Sequence, residues 1–250
     1  MLILAIDTTS EVGGVGIFRD AECLASVPNT GAADGYSIAL FEMVEQALAL
    51  AHLELREIDL YAAANGPGSF TGIRVGLAAA RAWAKVFTRP VRGVSVLEAM
   101  VYKQGLGAGD WGLGASAPEW CFPILDARRG EFYLGSFRRR PSDPPDPKAS
   151  DYEAVDEGWV VKPAALLTLL QERAAAGGGA TCLVRAHDQA AVELCACLPS
   201  QLNWCRVEGV LVDAIAAIAA GEQRAGRPCP SAKLEAYYIR RPDAEVNWKG

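Results

Sequence analysis

Glycines, hydroxyl groups and an arginine are concentrated in the stretch Asn65-Gly66-Pro67-Gly68-Ser69-Phe70-Thr71-Gly72-Ile73-Arg74, between an apolar strand pattern and a helical pattern. Glycine permits backbone angles that are closed to other residues, and serine or threonine caps helix N-termini. A tight turn into a helix presents unpaired N–H groups and a positive dipole end, which together bind anions. The predicted phosphate or nucleotide site therefore includes Gly66, Gly68, Ser69, Thr71 and Gly72. A structural corner that binds nothing is an equal alternative.

A carboxylate and three hydroxyls, Asp7-Thr8-Thr9-Ser10, follow the apolar strand 2–6. An aspartate at a strand end beside hydroxyls can hold Mg²⁺ through water and face a phosphate. Asp7 and Thr8 therefore join the candidate nucleotide site. The alternative is local, because aspartate and threonine side chains also bond nearby backbone N–H groups and simply form the turn.

No catalytic or metal-binding constellation is predicted. The two histidines, His52 and His187, lie far apart and outside any HExxH spacing, and no CxxC occurs among the seven cysteines. An odd number of scattered cysteines favours reduced thiols in the cytoplasm. The net charge of −6 disfavours nucleic acid as a sole partner. No apolar run of membrane-spanning length occurs, and the N-terminal segment lacks the basic residues of a signal peptide.

The elements that would position these residues form two units. Residues 1–104 carry patterns for three strands, a helix, a strand, a helix, a strand and a helix, and a Gly/Ala-rich linker follows. Residues 105–250 begin a second unit in which a strand over 121–125 ends at Asp126, with a hairpin partner over 132–137. Since Asp126 stands at a strand end as Asp7 does, we expect an internal duplication and an α/β protein of two lobes.

Two helices of the first unit carry more apolar residues than one buried stripe requires. The helix over 36–53 has a widened apolar face, and the helix over 73–87 is apolar around most of its circumference. Such a helix is either deeply buried or shared with a partner. Both alternatives remain open at this point.

Three segments, 4–9, 66–77 and 123–133, resemble the TsaB (YeaZ) family, the bacterial partner of TsaD in forming N6-threonylcarbamoyladenosine at position 37 of tRNA. The resemblance covers roughly residues 1–135. It implies a duplicated actin-like, sugar-kinase-like (ASKHA) fold with ribonuclease H-like motifs and a degenerate second lobe. Val184 to Asp188 stand where such enzymes have the turn that seats adenosine, so a complete ATP site is not expected.

The resemblance implies a scaffold or activator without catalysis of its own. It would bind TsaD as a heterodimer, and TsaE would join the pair. It would form a homodimer when isolated and meet tRNA only through the complex. No intrinsic cofactor is expected, and ATP or ADP with Mg²⁺ would enter only in the assembled complex. The implied contact residues are Ile38, Phe41, Met43, Val44, Leu48, Ile73, Leu77, Ala80 and Ala84.

Other functions remain as alternatives. An ASKHA-type small-molecule phosphotransferase would use Asp7 and the glycine turn for phosphates. A peptidase is not supported, because the sequence contains no zinc motif and no recognisable nucleophile constellation. The chain departs from the family at Tyr36-Ser37, in the 138–147 insert and in its C-terminal tail around Tyr237. The roles of these segments, and of the 126–131 turn, are left open.

Overall fold

A computed structural model describes residues 1–29, 36–106, 118–140, 152–156, 158–175, 179–199, 202–227, 235–237 and 239. Two mixed β-sheets with helices on their faces make up this part of the chain.

The first sheet is built from an antiparallel meander followed by two parallel crossovers. Its strands are β1 (Leu2–Asp7), β2 (Gly14–Arg19), β3 (Glu22–Pro28), β4 (Leu60–Gly66) and β5 (Val91–Ser95), in the order β3-β2-β1-β4-β5. The helices are α1 (Tyr36–Ala51), α2 (Phe70–Phe87) and α3 (Val96–Leu106), with a 3₁₀ turn at Leu55–Glu57. β1 and β4 are buried almost throughout, as expected of central strands covered on both faces.

The second sheet contains β6 (Trp120–Asp126), β7 (Phe132–Leu134), β8 (Phe137–Arg139), β9 (Tyr152–Ala154), β10 (Trp159–Val161), β11 (Ala180–Arg185) and β12 (Asn203–Val207). Its main path runs β10-β7-β6-β11-β12, and β8 pairs with β6 and β9. Its helices are α4 (Pro163–Ala175), α5 (Gln189–Ala196) and α6 (Val212–Arg224).

The two sheets repeat one topology. In each, two antiparallel pairs are followed by two parallel pairs, and β6, β7, β10, β11 and β12 correspond in order to β1 through β5. Asp7 and Asp126 occupy the last positions of the equivalent strands β1 and β6. The duplicated actin-like, two-lobed α/β fold expected from the sequence is confirmed.

The lobes share a core. Helix α6 comes from the second half of the chain but packs on the first sheet, where Ile215 and Ala219 join Ile3 and Leu60 in one buried cluster. Helix α3 also enters this cluster through Met100. The outer helices α1 and α2 cover the opposite face of the first sheet. The division at residues 104 and 105 therefore stays a prediction about sequence segments, because the packing crosses it.

Most predicted elements lie within a few residues of their observed bounds. The single hairpin strand expected over 132–137 is wrong: it is divided into β7 and β8, and the N–H of Gly135 between them donates to Pro123 O at 3.1 Å. Strands β9, β10 and β12 were not predicted. The linker was predicted over 105–118; residues 105 and 106 belong to α3, and residues 107–117 lie outside the described residues, as do insert residues 141–147.

Within the described ranges, no helix is long and apolar enough to cross a bilayer. The same ranges contain no cluster of three or more metal-ligating side chains.

Candidate functional site

A cleft of about 1180 Å³ lies between the lobes. The first lobe contributes the turn after β1 and the glycine turn into α2, and the second contributes the ends of β6 and β11 with the start of α5. These are the carboxyl ends of the central strands, where open α/β sheets bind ligands. The cleft is therefore where the fold would place a nucleotide.

Asp7 lies beneath this cleft with both carboxylate oxygens engaged. The N–H and hydroxyl of Thr9 donate to its Oδ1 at 3.0 and 2.6 Å. Arg185 donates from Nη2 to its Oδ2 at 3.0 Å. Asp7 is 0% exposed and Arg185 is 1% exposed, so this is a fully buried ion pair that joins β1 of one lobe to β11 of the other.

The guanidinium of Arg185 is held by further acceptors. Nη2 also donates to Val12 O at 2.7 Å and to Gly209 O, and Nη1 lies 3.4 Å from the hydroxyl of Thr9. A buried charge needs such a set of partners, because desolvation otherwise exceeds the Coulombic gain.

Magnesium with a nucleotide does not fit this arrangement. Asp7 is 0% exposed, its Oδ2 accepts from the cationic Arg185, and its Oδ1 accepts from Thr9. Asp7 and Thr8 are also absent from the lining of the cleft. The predicted cation site at Asp7 is therefore filled by a side chain of the same molecule.

The glycine turn is seated against the turn after β1. The N–H of Ser69 donates to Thr9 O at 2.6 Å, and the hydroxyl of Thr8 donates to Gly72 O at 2.6 Å. A Cβ on Gly72 would overlap the carbonyl oxygen of Thr8, and one on Gly68 would overlap that of Thr9. The glycines therefore permit close backbone packing. This is the alternative to phosphate binding that was expected from the sequence, a structural corner between strand and helix.

Helix α2 begins as expected. Ser69 is its N-cap, and the hydroxyl accepts from Gly72 N at 3.3 Å, so Thr71 is not the cap. Gly68, Ser69, Thr71 and Gly72 line the cleft, whereas Gly66, Asp7 and Thr8 do not. Phosphate binding by this turn stays a prediction.

His187 also lines the cleft and was not singled out as a site residue. Its Nε2 lies 3.1 Å from Ser10 Oγ, while its buried Nδ1 has no partner among the described residues. Burial and the neighbouring charge of Arg185 lower the pKa of His187 to about 4, against smaller opposing effects of Glu11 and Asp7. The imidazole is therefore neutral at physiological pH.

The 126–131 turn closes the β6–β7 hairpin. The N–H of Ala127 donates to Glu131 O at 2.9 Å, and Arg128, Arg129 and Gly130 all adopt positive φ. Asp126 accepts from Arg128 N at 2.7 Å, and its own N–H donates to Asp188 Oδ2 at 2.7 Å. This accounts for the turn as a structural element of the second lobe.

The C-terminal tail reaches the glycine turn. Tyr237 donates from its N–H to Asn65 O at 2.7 Å, and Ile239 packs against the shared core. The tail is therefore docked on the rest of the molecule at these two residues, while Tyr238 and Arg240 lie outside the described residues.

The predicted partner face requires a correction. Six of its nine residues are buried in the core of their own lobe under α1 and α2, so they cannot form a free surface: Met43, Val44, Ile73, Leu77, Ala80 and Ala84. Ile38 and Phe41 are 57% and 53% exposed, and Leu48 is half-buried.

An apolar patch nevertheless remains on the two helices. Phe41 meets the half-buried Trp83 edge to face, with ring centroids 6.0 Å apart. We call Ile38, Phe41, Leu48 and Trp83 the Phe41 patch. Trp83 was missing from the predicted interface, although its apolar neighbours on α2 were included.

Comparisons with the sequences of known proteins point to proteins named for the threonylcarbamoyl modification of tRNA. A family model described as "TsaD: tRNA N6-adenosine threonylcarbamoyltransferase" matches residues 27–155, about half of the chain. The chain is 29% identical over 138 residues to the tRNA threonylcarbamoyladenosine biosynthesis protein TsaB of Bacillus subtilis, covering 55% of this chain and 56% of the relative. It is 31% identical over 139 residues to the protein of that name from Escherichia coli, covering 56% of each. The matched region thus spans little more than half the length of these relatives.

A solved structure supports the fold over almost the whole chain. A crystal structure from Pseudomonas aeruginosa, described as an uncharacterized protein with similarity to peptidase YEAZ, superposes with a TM-score of 0.70 at 22% identity. It covers 96% of this chain and 99% of that one.

Proposed function

Since the chain belongs to the TsaD-related family, in which its relatives carry the name TsaB (YeaZ), we propose that it is a non-catalytic partner subunit for threonylcarbamoyl transfer to tRNA. It binds a TsaD-type transferase as a heterodimer, and a TsaE-type protein joins the pair. It acts in the cytoplasm and meets tRNA only through the assembly. Any nucleotide and Mg²⁺ that the reaction uses belong to the assembled complex.

The Phe41 patch is the observation that carries the partner proposal. Phe41 and Ile38 are more than half exposed, whereas Leu40, Met43, Val44 and Ala47 of the same helix are in the core. Exposed aromatic and aliphatic side chains that are grouped in this way mark protein interaction sites. Packing α1 and α2 against two equivalent helices of a related protein would form a four-helix bundle that covers them. A second copy of the chain can use the same patch, which gives the expected homodimer.

The absence of catalysis is supported by the base of the cleft. Asp7 is bonded to Arg185 and Thr9, so the described residues offer no open carboxylate at this point for a metal-assisted phosphotransfer. The contact between His187 and Ser10 does not make a peptidase, because no acidic side chain in the described part of the chain bonds His187 Nδ1, as orientation of a catalytic histidine requires.

The test is light scattering coupled to size-exclusion chromatography, on the chain alone and mixed with the TsaD-type protein of the same organism. Phe41→Glu should abolish the heterodimer and weaken affinity by about 2 kcal/mol or more, because it places an unpaired charge in an apolar interface. Val155→Glu is the matched control, since Val155 is a 50% exposed apolar residue of the second lobe. It should leave the heterodimer intact.

Leu77 is unsuitable as a second probe because it is only 5% exposed, so a glutamate there would disrupt the core. A heterodimer that survives Phe41→Glu would contradict the proposed face, and a chain that never binds the transferase would contradict the proposed function. ATP turnover by the isolated chain would instead favour the phosphotransferase alternative.

A further inference from the structure

Arg185 is a charged side chain with 1% exposure at the base of a large cleft. It bonds Asp7 and Val12 O from the first lobe and Gly209 O from the second half of the chain. Few side chains of the described residues join the lobes so directly. Its contacts therefore bear on how the lobes are held relative to each other.

The internal duplication shows what this arginine replaces. In the first lobe, β4 leads to α2 through the glycine turn of residues 66–69. In the second lobe, the equivalent strand β11 leads to α5 through residues 185–188, and no glycine occurs among them. The first lobe has a glycine turn at this position. The second lobe instead has Arg185, whose side chain crosses the base of the cleft and bonds Asp7.

The chemistry of Asp7 makes this contact exclusive. A divalent cation bound at this point would have to reach a carboxylate that is 0% exposed, and it would lie against the positive charge of Arg185, which already neutralises Asp7. The pair is buried, so salt screens it little.

We propose that Arg185 is a built-in cation of the Asp7 site. It stands where a divalent metal would have to bind and ties the two lobes together across the floor of the cleft. Two-lobed folds commonly close around ligands by a hinge motion. In this chain the Asp7–Arg185 ion pair holds the two lobes at a fixed separation, so that the cleft does not bind a metal-bound nucleotide. The proposal does not depend on which partner binds the Phe41 patch.

The test uses the full chain and two variants, a double change at Asp7 and Arg185 and a control at Arg92. Arg185→Met alone leaves the charge of Asp7 buried and can unfold the protein. The working variant is therefore the double change Asp7→Asn with Arg185→Met, which removes both charges at similar volume. Arg92→Met is the matched control: Arg92 is also a buried arginine, but it bonds Gln223 and Arg227 O on and after α6, away from the cleft.

Amide hydrogen exchange measures how strongly the Asp7–Arg185 ion pair holds the lobes together. In the double variant the backbone amides of 8–13 and 186–189 should exchange at least about tenfold faster than in the unmodified chain, because opening between the lobes becomes easier. Arg92→Met should leave these amides unchanged. Unchanged exchange in the double variant would overturn the proposal.

Manganese binding, followed by the electron paramagnetic resonance of free Mn²⁺ with and without ATP, measures the cation position. The unmodified chain should leave the free Mn²⁺ signal the same as the double variant does, since the double variant lacks the Asp7 carboxylate. Manganese uptake by the unmodified chain that the double variant does not show would mean that Asp7 is open to metal, and would overturn the proposal.

Discussion

At the scale of single residues, desolvation decides which groups at the cleft are charged. Asp7 and Arg185 are both withdrawn from water and compensate each other, with hydrogen bonds to three further residues, Thr9, Val12 and Gly209. His187 is half-buried beside Arg185 and is kept neutral, because a second positive charge there would have no compensating partner. The base of the cleft therefore carries one buried ion pair, in which the charges of Asp7 and Arg185 offset each other.

The pKa of His187 predicts a pH-dependent stability. The folded pKa of about 4 lies below the value of 6.5 expected without burial. The unfolded chain thus binds the proton more readily, and stability is full above pH 6.5 and is lost as the pH falls towards 4. After discounting for partial exposure, we expect a loss of about 1 kcal/mol between pH 7 and 5.

Urea unfolding of the unmodified chain and of His187→Asn at pH 7 and 5 checks this. Carboxylates titrate in both proteins, so the difference between the two slopes isolates His187. Parallel pH profiles would contradict the expectation.

Individual residues could be predicted from sequence where their partners are local. Ser69 as N-cap follows from its place before a helical pattern, and Asp7 with its hydroxyls follows from a strand end. Arg185 could not be assigned, because its partner Asp7 is 178 positions away. Only the folded pairing of the lobes brings the two together.

At the scale of elements, α2 is seated on the turn after β1 by glycines at regular helical spacing. Gly72 lies against the carbonyl of Thr8, and a Cβ on Gly76 would stand 2.5 Å from the hydroxyl of Thr8. The helix and the turn thus meet backbone to backbone. The glycine-rich segment that suggests phosphate binding in the sequence is needed for this packing.

Gly72→Ala should lower the free energy of unfolding by about 3 kcal/mol or more, because the added methyl group overlaps Thr8 O and displaces the helix. Gly221→Ala is the matched control, since it lies within α6 with no atom in reach of its Cβ. It should raise stability by about 0.5 to 1 kcal/mol through helix propensity. Guanidinium unfolding measures both, and equal effects would contradict the packing argument.

The predicted partner face on α1 and α2 shows why a helix is easier to predict from sequence than the neighbours that cover each of its sides. Periodicity in α1 and α2 identifies the apolar positions correctly, but it does not tell which of them the sheet covers. Met43 and Leu77 face the first sheet, whereas Phe41 faces outward and is partly covered by Trp83. The missed strands β9, β10 and β12 are short or half-exposed, and their pairing depends on distant partners.

At the scale of the whole molecule, the two halves of the chain are interlocked. Helix α6 completes the core of the first sheet, and Arg92 of β5 anchors its C-terminal end through Gln223 and Arg227 O. Lys103 of α3 pairs with Asp213 of α6 at 2.5 Å. The duplication could be predicted because Asp126 ends its strand as Asp7 does and because the family resemblance implies it, but this exchange of helices could not, since nothing local in α6 specifies the sheet it covers.

A fragment of residues 1–106 should therefore not fold cooperatively. Without α6, the sheet face around Ile3 and Leu60 is exposed to water. We expect poor dispersion in its ¹H–¹⁵N NMR spectrum and no cooperative thermal transition, with both restored when residues 107–250 are co-expressed. A fragment that melts cooperatively on its own would contradict the shared core.

The place of α6 in the fold also has a consequence for synthesis of the chain. The first sheet is complete once β5 has left the ribosome, yet the helix that covers one of its faces is made more than a hundred residues later. Contacts between such distant segments are slow to form, because a long loop must close first. During that interval the nascent first lobe presents an uncovered apolar sheet, which makes it a natural client for ribosome-associated chaperones.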